Sequence, residues 1–152
     1  MAIEIERKFL VTGDGWRKAQ ATYYSQGYLN SDKARTVRVR IAGDQAFLTV
    51  KGLSQGASRA EFEYPIPVED ARQLLSLCEQ PLIEKYRYKI PLDGFVWEVD
   101  EFLGENLGLI VAEIELPRVD ASFAKPEWVG EEVTGDARYF NSNLVKTPFV
   151  RW

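Results

Sequence analysis

Residues 35–52, Arg-Thr-Val-Arg-Val-Arg-Ile-Ala-Gly-Asp-Gln-Ala-Phe-Leu-Thr-Val-Lys-Gly, alternate polar and apolar side chains about a short central turn. Arg38 and Arg40 fall between Val37, Val39 and Ile41, while Leu48 and Val50 alternate with Thr49 and Lys51. A period of two puts each set on its own face of a half-buried strand. The connection Ala42-Gly43-Asp44 is short enough to fold the two strands into a hairpin.

The same alternation recurs along the chain and gives eight candidate strands: Ala2–Val11, Thr22–Asn30, Arg35–Ala42, Gln45–Gly52, Ser58–Val68, Leu82–Pro91, Phe95–Leu103 and Leu109–Pro117. Asp93-Gly94 marks a second tight hairpin. Helical pattern is scarcer. Val68–Leu77 has Glu69 and Asp70 in its first turn and an apolar face of Leu74, Leu75 and Leu77, and Asp14–Ala21 and Asp136–Leu144 are weaker candidates. The expected fold class is mainly β, with a few helices covering the outside of the sheet.

Charge follows the strands. Glu4, Glu6 and Lys8 share one face of the first strand, and Glu61 with Glu63, Glu98 with Asp100, and Glu113 with Glu115 repeat an acidic face later. Arg38, Arg40, Lys51, Lys85, Arg87 and Lys89 form the basic counterparts. Like charges side by side repel, so whole strands of one sign point to ligands that neutralise them: cations for the acids, a polyanion for the bases. Alternation alone admits an open sheet with a solvated charged face or a closed barrel with a charged lumen. Eight strands make a lumen wide enough for one small ligand.

Composition narrows the chemistry. The 152-residue chain is read as one domain, residues 1–152, with 28% charged residues and a net charge of −4, which argues against a DNA-binding protein. No apolar run reaches membrane-spanning length and the start does not read as a signal peptide, so a cytoplasmic setting is expected. Cys78 is the single cysteine and histidine is absent, which excludes an intramolecular disulfide and leaves carboxylates, lysine, tyrosine and hard cations for any catalysis. Trp16, Trp128 and the ending Phe149-Val150-Arg151-Trp152 offer aromatic surface, for a homodimer contact or for closing the barrel ends.

The order of these motifs resembles the CYTH, or triphosphate tunnel metalloenzyme, family. It is carried by Glu4-Ile5-Glu6-Arg7-Lys8, Arg38-x-Arg40, Lys51-Gly52, Glu61-x-Glu63, Lys85-x-Arg87, the acidic strand ending in Asp100, and Glu113-x-Glu115. The resemblance implies a closed antiparallel eight-stranded β-barrel and hydrolysis of a small-molecule triphosphate, inorganic tripolyphosphate first among them. It implies Lys8, Arg38, Arg40, Lys51, Lys85 and Arg87 on the phosphates. Glu4, Glu6, Glu61, Glu63, Asp100, Glu113 and Glu115 would hold Mg²⁺ or Mn²⁺, as two ions, with some acids orienting cations instead. Lys8 and Tyr28 are its catalytic candidates. A class IV-type adenylyl cyclase, a thiamine or nucleoside/RNA 5′-triphosphatase and a non-catalytic polyphosphate-binding module are the alternatives.

Overall fold

The hairpin of residues 35–52 forms as β3 (Arg35–Ala42) and β4 (Gln45–Gly52), with Arg38 opposite Thr49 and Val39 opposite Leu48. The computed structural model describes residues 3–152. Ala2, expected in the first strand, lies outside the described residues. The other strands are β1 (Ile3–Val11), β2 (Ala21–Asn30), β5 (Ser58–Ile66), β6 (Ile83–Leu92), β7 (Phe95–Phe102), β8 (Ile110–Glu115) and β9 (Val129–Glu132). Asp93 and Gly94, both at positive φ (50° and 83°), join β6 to β7. Paired positive φ suits the twist of a two-residue hairpin.

Neighbouring strands run antiparallel in the order β5-β4-β3-β2-β6-β7-β8-β1, and β1 returns to β5 to close an eight-stranded barrel. The unanticipated β9 adds to β1. Its edge is shared: β5 pairs with Ile3–Ile5 and β9 with the stretch from Phe9 to Val11. Closure removes the free edges that an open sheet would expose.

Apolar packing lies mostly outside the barrel. α1 (Val68–Ser76) sets Ala71 and Leu75 against Val39 and Ala46, with Cys78 beside them. Its end comes so close to β2 that a Cβ on Gly27 would sit 2.7 Å from both Cys78 Cβ and Leu82 Cδ2, so only glycine fits. A second outer cluster joins Phe9, Trp97, Val99, Ala112 and Ile114 to Trp16 and Trp128. Those two tryptophans are therefore core residues, 1% and 8% exposed, and not a docking surface. The third cluster fills one barrel end. There Tyr28, Ile83, Phe102 and Val111 meet Val133, Tyr139, Leu144 and Val145 from the C-terminal segment, which carries α2 (Asn141–Lys146).

Some element bounds differ from expectation. Asp14–Ala21 yields only a 3-10 turn over Gly15–Lys18, and Asp136–Leu144 splits at Phe140 into a 3-10 turn and α2. β5 stops at Ile66 because Pro67, lacking an N–H, leads directly into α1. Among the described residues no helix is long and apolar enough to cross a membrane.

Candidate active site

The charged faces all turn inward and enclose a cavity of about 460 Å³. Every sequence-derived site residue except Asp100 lines it, and Asp100 lies directly behind Arg87. Closure also sorts the charges around the wall. The acidic strands, scattered as first, fifth, seventh and eighth along the chain, become the contiguous arc β7-β8-β1-β5. The basic strands β4, β3 and β6 form the opposite arc, with uncharged β2 between β3 and β6.

Where the arcs meet, cations are braced by acids. Asp100, 1% exposed, accepts bonds from Lys85 Nζ at 2.7 Å, Arg87 Nε at 2.7 Å and Arg87 Nη2 at 2.8 Å. Burial alone would raise its pKa, but Arg87 and Lys85 hold it below the ordinary carboxylate value. Burial depresses Lys85, whose neighbours Arg87 and Arg40 add to the effect against Asp100, and its pKa falls to about 7. Glu113 lies 3.5 Å from Lys8 and 3.7 Å from Arg87. Although burial opposes ionisation of both, Glu113 is held well below its usual value, and Glu113 with Glu6 lifts Lys8 above the usual lysine value. Lys51 Nζ donates to both Glu4 oxygens, at 2.9 and 3.1 Å, and sits 3.4 Å from Glu61.

Two groups stand out for what they lack. Arg40 has no carboxylate within 4.0 Å among the described residues, and the Nε of Arg38 is buried without a hydrogen-bond partner. On the other arc Glu6 has no cationic partner within that distance among the described residues. Burial, then Glu113 and Glu4, push its carboxyl up to about 8. Glu61 and Glu115 are raised too, chiefly by burial and then by Glu4. Glu6 and Glu115 are register partners on adjacent strands. These oxygen donors fit a hard divalent cation in chemistry. Among the described residues no three of them yet converge tightly enough to hold one.

Several lining residues escaped the sequence reading. Arg59, 3.5 Å from Glu4, shares the period of Glu61 and Glu63 and was legible by parity. Asn141 and Ser142 reach the cavity from the C-terminal segment, which no local pattern announces, and the uncharged Gln26 lies behind the lining, bonded to Arg40. Lys89 and Glu98 also line the cavity; with a side chain 60% exposed, Lys89 marks the rim.

Fold and cavity together define a closed antiparallel barrel with a charge-sorted interior. The chain belongs to the CYTH domain family, whose profile matches residues 2–147. It is 58% identical over 151 residues to an inorganic triphosphatase of Acetivibrio thermocellus, covering 98% of this chain and 97% of that one. An inorganic triphosphatase of Nitrosomonas europaea is 40% identical over 146 residues, covering 93% and 95%. The crystal structure of the inorganic triphosphatase NE1496 superposes with a TM-score of 0.66 at 38% identity, covering 95% of each chain.

Proposed function

We propose that this chain is a single-domain enzyme, residues 1–152, that hydrolyses inorganic tripolyphosphate to pyrophosphate and phosphate with the help of Mg²⁺ or Mn²⁺, as two ions. The carrying observation is the opposition of a basic and an acidic arc across one cavity. A linear polyanion meets cations on one side, and the acids facing it call for positive charge of their own.

Arg38 and Arg40 present guanidinium groups that lack full compensation, and such forks engage phosphate oxygens bidentately. Arg87, held in place by Asp100, and Lys51 extend the cradle. Lys85 is wholly buried and supports the cradle from behind. Glu6, Glu61 and Glu115 would hold the metal ions, flanked by Glu4 and Glu63, while Asp100 and Glu113 orient cations. When bound, a divalent ion supplies Lewis acidity toward phosphoryl oxygens and relieves the repulsion among the acids. Lys8 stays protonated at neutral pH because the ionised Glu113 stabilises its charge, so it serves as a fixed cation at the end of the phosphate chain and not as a base. Tyr28 lines the cavity near Lys8 and would orient the attacking water.

The purified protein, given tripolyphosphate and Mg²⁺ or Mn²⁺, is expected to release orthophosphate. Glu4→Ala, Glu6→Ala and Arg40→Ala should each cut release by about a hundredfold or more and leave the protein folded. Full activity in those variants, or tight tripolyphosphate binding without turnover, would sink the reading. Conversion of ATP to cyclic AMP and pyrophosphate would replace it with a cyclase.

A further inference from the structure

Arg40 is oriented by neutral groups. Its Nε donates to Gln26 Oε1 at 2.8 Å, and its guanidinium carbon lies 5.0 Å from the centre of the Tyr24 ring. Gln26, fully buried, uses its Nε2 to donate to Asn141 Oδ1 at 3.0 Å. Asn141 Oδ1 also accepts from Lys85 Nζ at 3.0 Å. The chain of bonds has a fixed sense. A guanidinium can only donate, so Arg40 turns Gln26 Oε1 toward itself, which leaves Gln26 Nε2 to donate and Asn141 Oδ1 to accept.

The chemistry of this support is unusual for the cavity. Lys8, Arg38, Lys51, Arg59, Lys85, Arg87 and Lys89 each have a carboxylate within 4.0 Å. A carboxylate holds a guanidinium in place at the cost of half-cancelling its field, whereas an amide oxygen fixes the geometry and leaves the full charge available. Burial and the neighbouring Arg38 and Arg87 lower the Arg40 pKa to about 10, so it stays cationic at neutral pH while lacking a counter-ion. Asn141 opens α2, in the segment that packs across the barrel end.

We propose that Gln26 and Asn141 are positioning residues for Arg40, an amide relay through which the C-terminal segment aims an un-neutralised guanidinium at the substrate phosphates. The relay depends on the phosphate-cradle reading given above. It makes closure of the barrel end and assembly of the anion site a single event.

The test is a double-mutant cycle on the full chain, read by tripolyphosphate turnover with Mg²⁺ and by calorimetric titration of tripolyphosphate into metal-free protein. Asn141→Ala should lower kcat/KM by about tenfold to a hundredfold, the scale on which misplaced catalytic groups act. Combined with Arg40→Ala it should add less than about twofold, because both changes remove one function. Val145→Ala loosens the apolar plug without touching the relay, so it should lower Tm and multiply with Arg40→Ala. Gln26→Glu keeps an acceptor for Arg40 but adds a counter-charge and removes the donor to Asn141, and it should raise KM about tenfold. Independent, multiplying losses for Asn141→Ala and Arg40→Ala, or an unchanged KM in Gln26→Glu, would overturn the relay while leaving the enzymatic reading intact. If the unmodified protein neither hydrolyses nor binds tripolyphosphate, both fall.

Discussion

Glu6→Gln should make the metal-free protein more stable and the metal-supplied protein useless. The Glu6 carboxyl, ordinarily near 4.5, is pushed up to about 8 by burial and by Glu113 and Glu4. At pH 7 the unfolded chain carries it ionised, and folding must either protonate it or bear the repulsion. The interval from 4.5 to 7, at about 1.36 kcal/mol per unit, amounts to roughly 3 kcal/mol. Solvent at this half-buried position trims that to about 2 kcal/mol. The sign follows from a raised acid pKa: stability is lost as pH climbs from about 4.5 to about 8 and is flat beyond. Glutamine removes the penalty, so Tm in EDTA at pH 7 should rise by about 4–8 °C, at roughly 2–4 °C per kcal/mol for a chain of this size. The advantage should vanish near pH 4.5. Mg²⁺ at a hundred times its Kd should stabilise the unmodified protein by about 2.7 kcal/mol and the variant by much less, reversing their order. Thermal scans in EDTA and in Mg²⁺ between pH 4.5 and 8 decide the matter. A variant no more stable than the parent in EDTA at pH 7 to 8 refutes the account of Glu6 as an uncompensated acid.

Asp100→Asn leaves Lys85 and Arg87 buried beside a neutral side chain and should cost about 3–5 kcal/mol, measured by urea unfolding; a loss below about 1 kcal/mol would mean that the pair is not held by charge. Gly27→Ala drives a methyl into Cys78 and Leu82 and should destabilise by about 1–3 kcal/mol, visible as a lower urea midpoint with unchanged m-value. Tyr28→Phe keeps the ring in its apolar cluster, so Tm should hold within about 2 °C while phosphate release falls at least tenfold; undiminished release removes Tyr28 from the chemistry.

The hairpin of residues 35–52 was legible to the residue, because alternation on both sides of Gly43-Asp44 leaves one register. β9 was not, since Val-Gly-Glu-Glu over residues 129–132 carries too short a pattern to register as a strand and pairs only with a distant edge of β1. Inward parity found the charged lining, because alternation is local. It could not show that acidic strands far apart in the chain would stand side by side, which depends on β1 returning to β5. Asn141 was invisible for the same reason: its position beside Gln26 and Lys85 is set by the packing of Leu144 and Val145 and not by its neighbours in sequence.

Among the described residues the seam where the barrel closes aligns Ile3–Ile5 with Ser58–Ala60, and the outward Phe62 and Tyr64 of β5 stand exposed. Such a junction is where a closed sheet unzips first, at a free energy well below that of global unfolding. Across it run Glu4 to Arg59 and Glu4 to Lys51, side chains that also face the cavity. A ligand drawn to Glu4 on one stave and Glu61 on the next therefore acts as a latch. Its footprint in amide hydrogen exchange should be slowed exchange along this one joint, leaving the rest of the wall as protected as before.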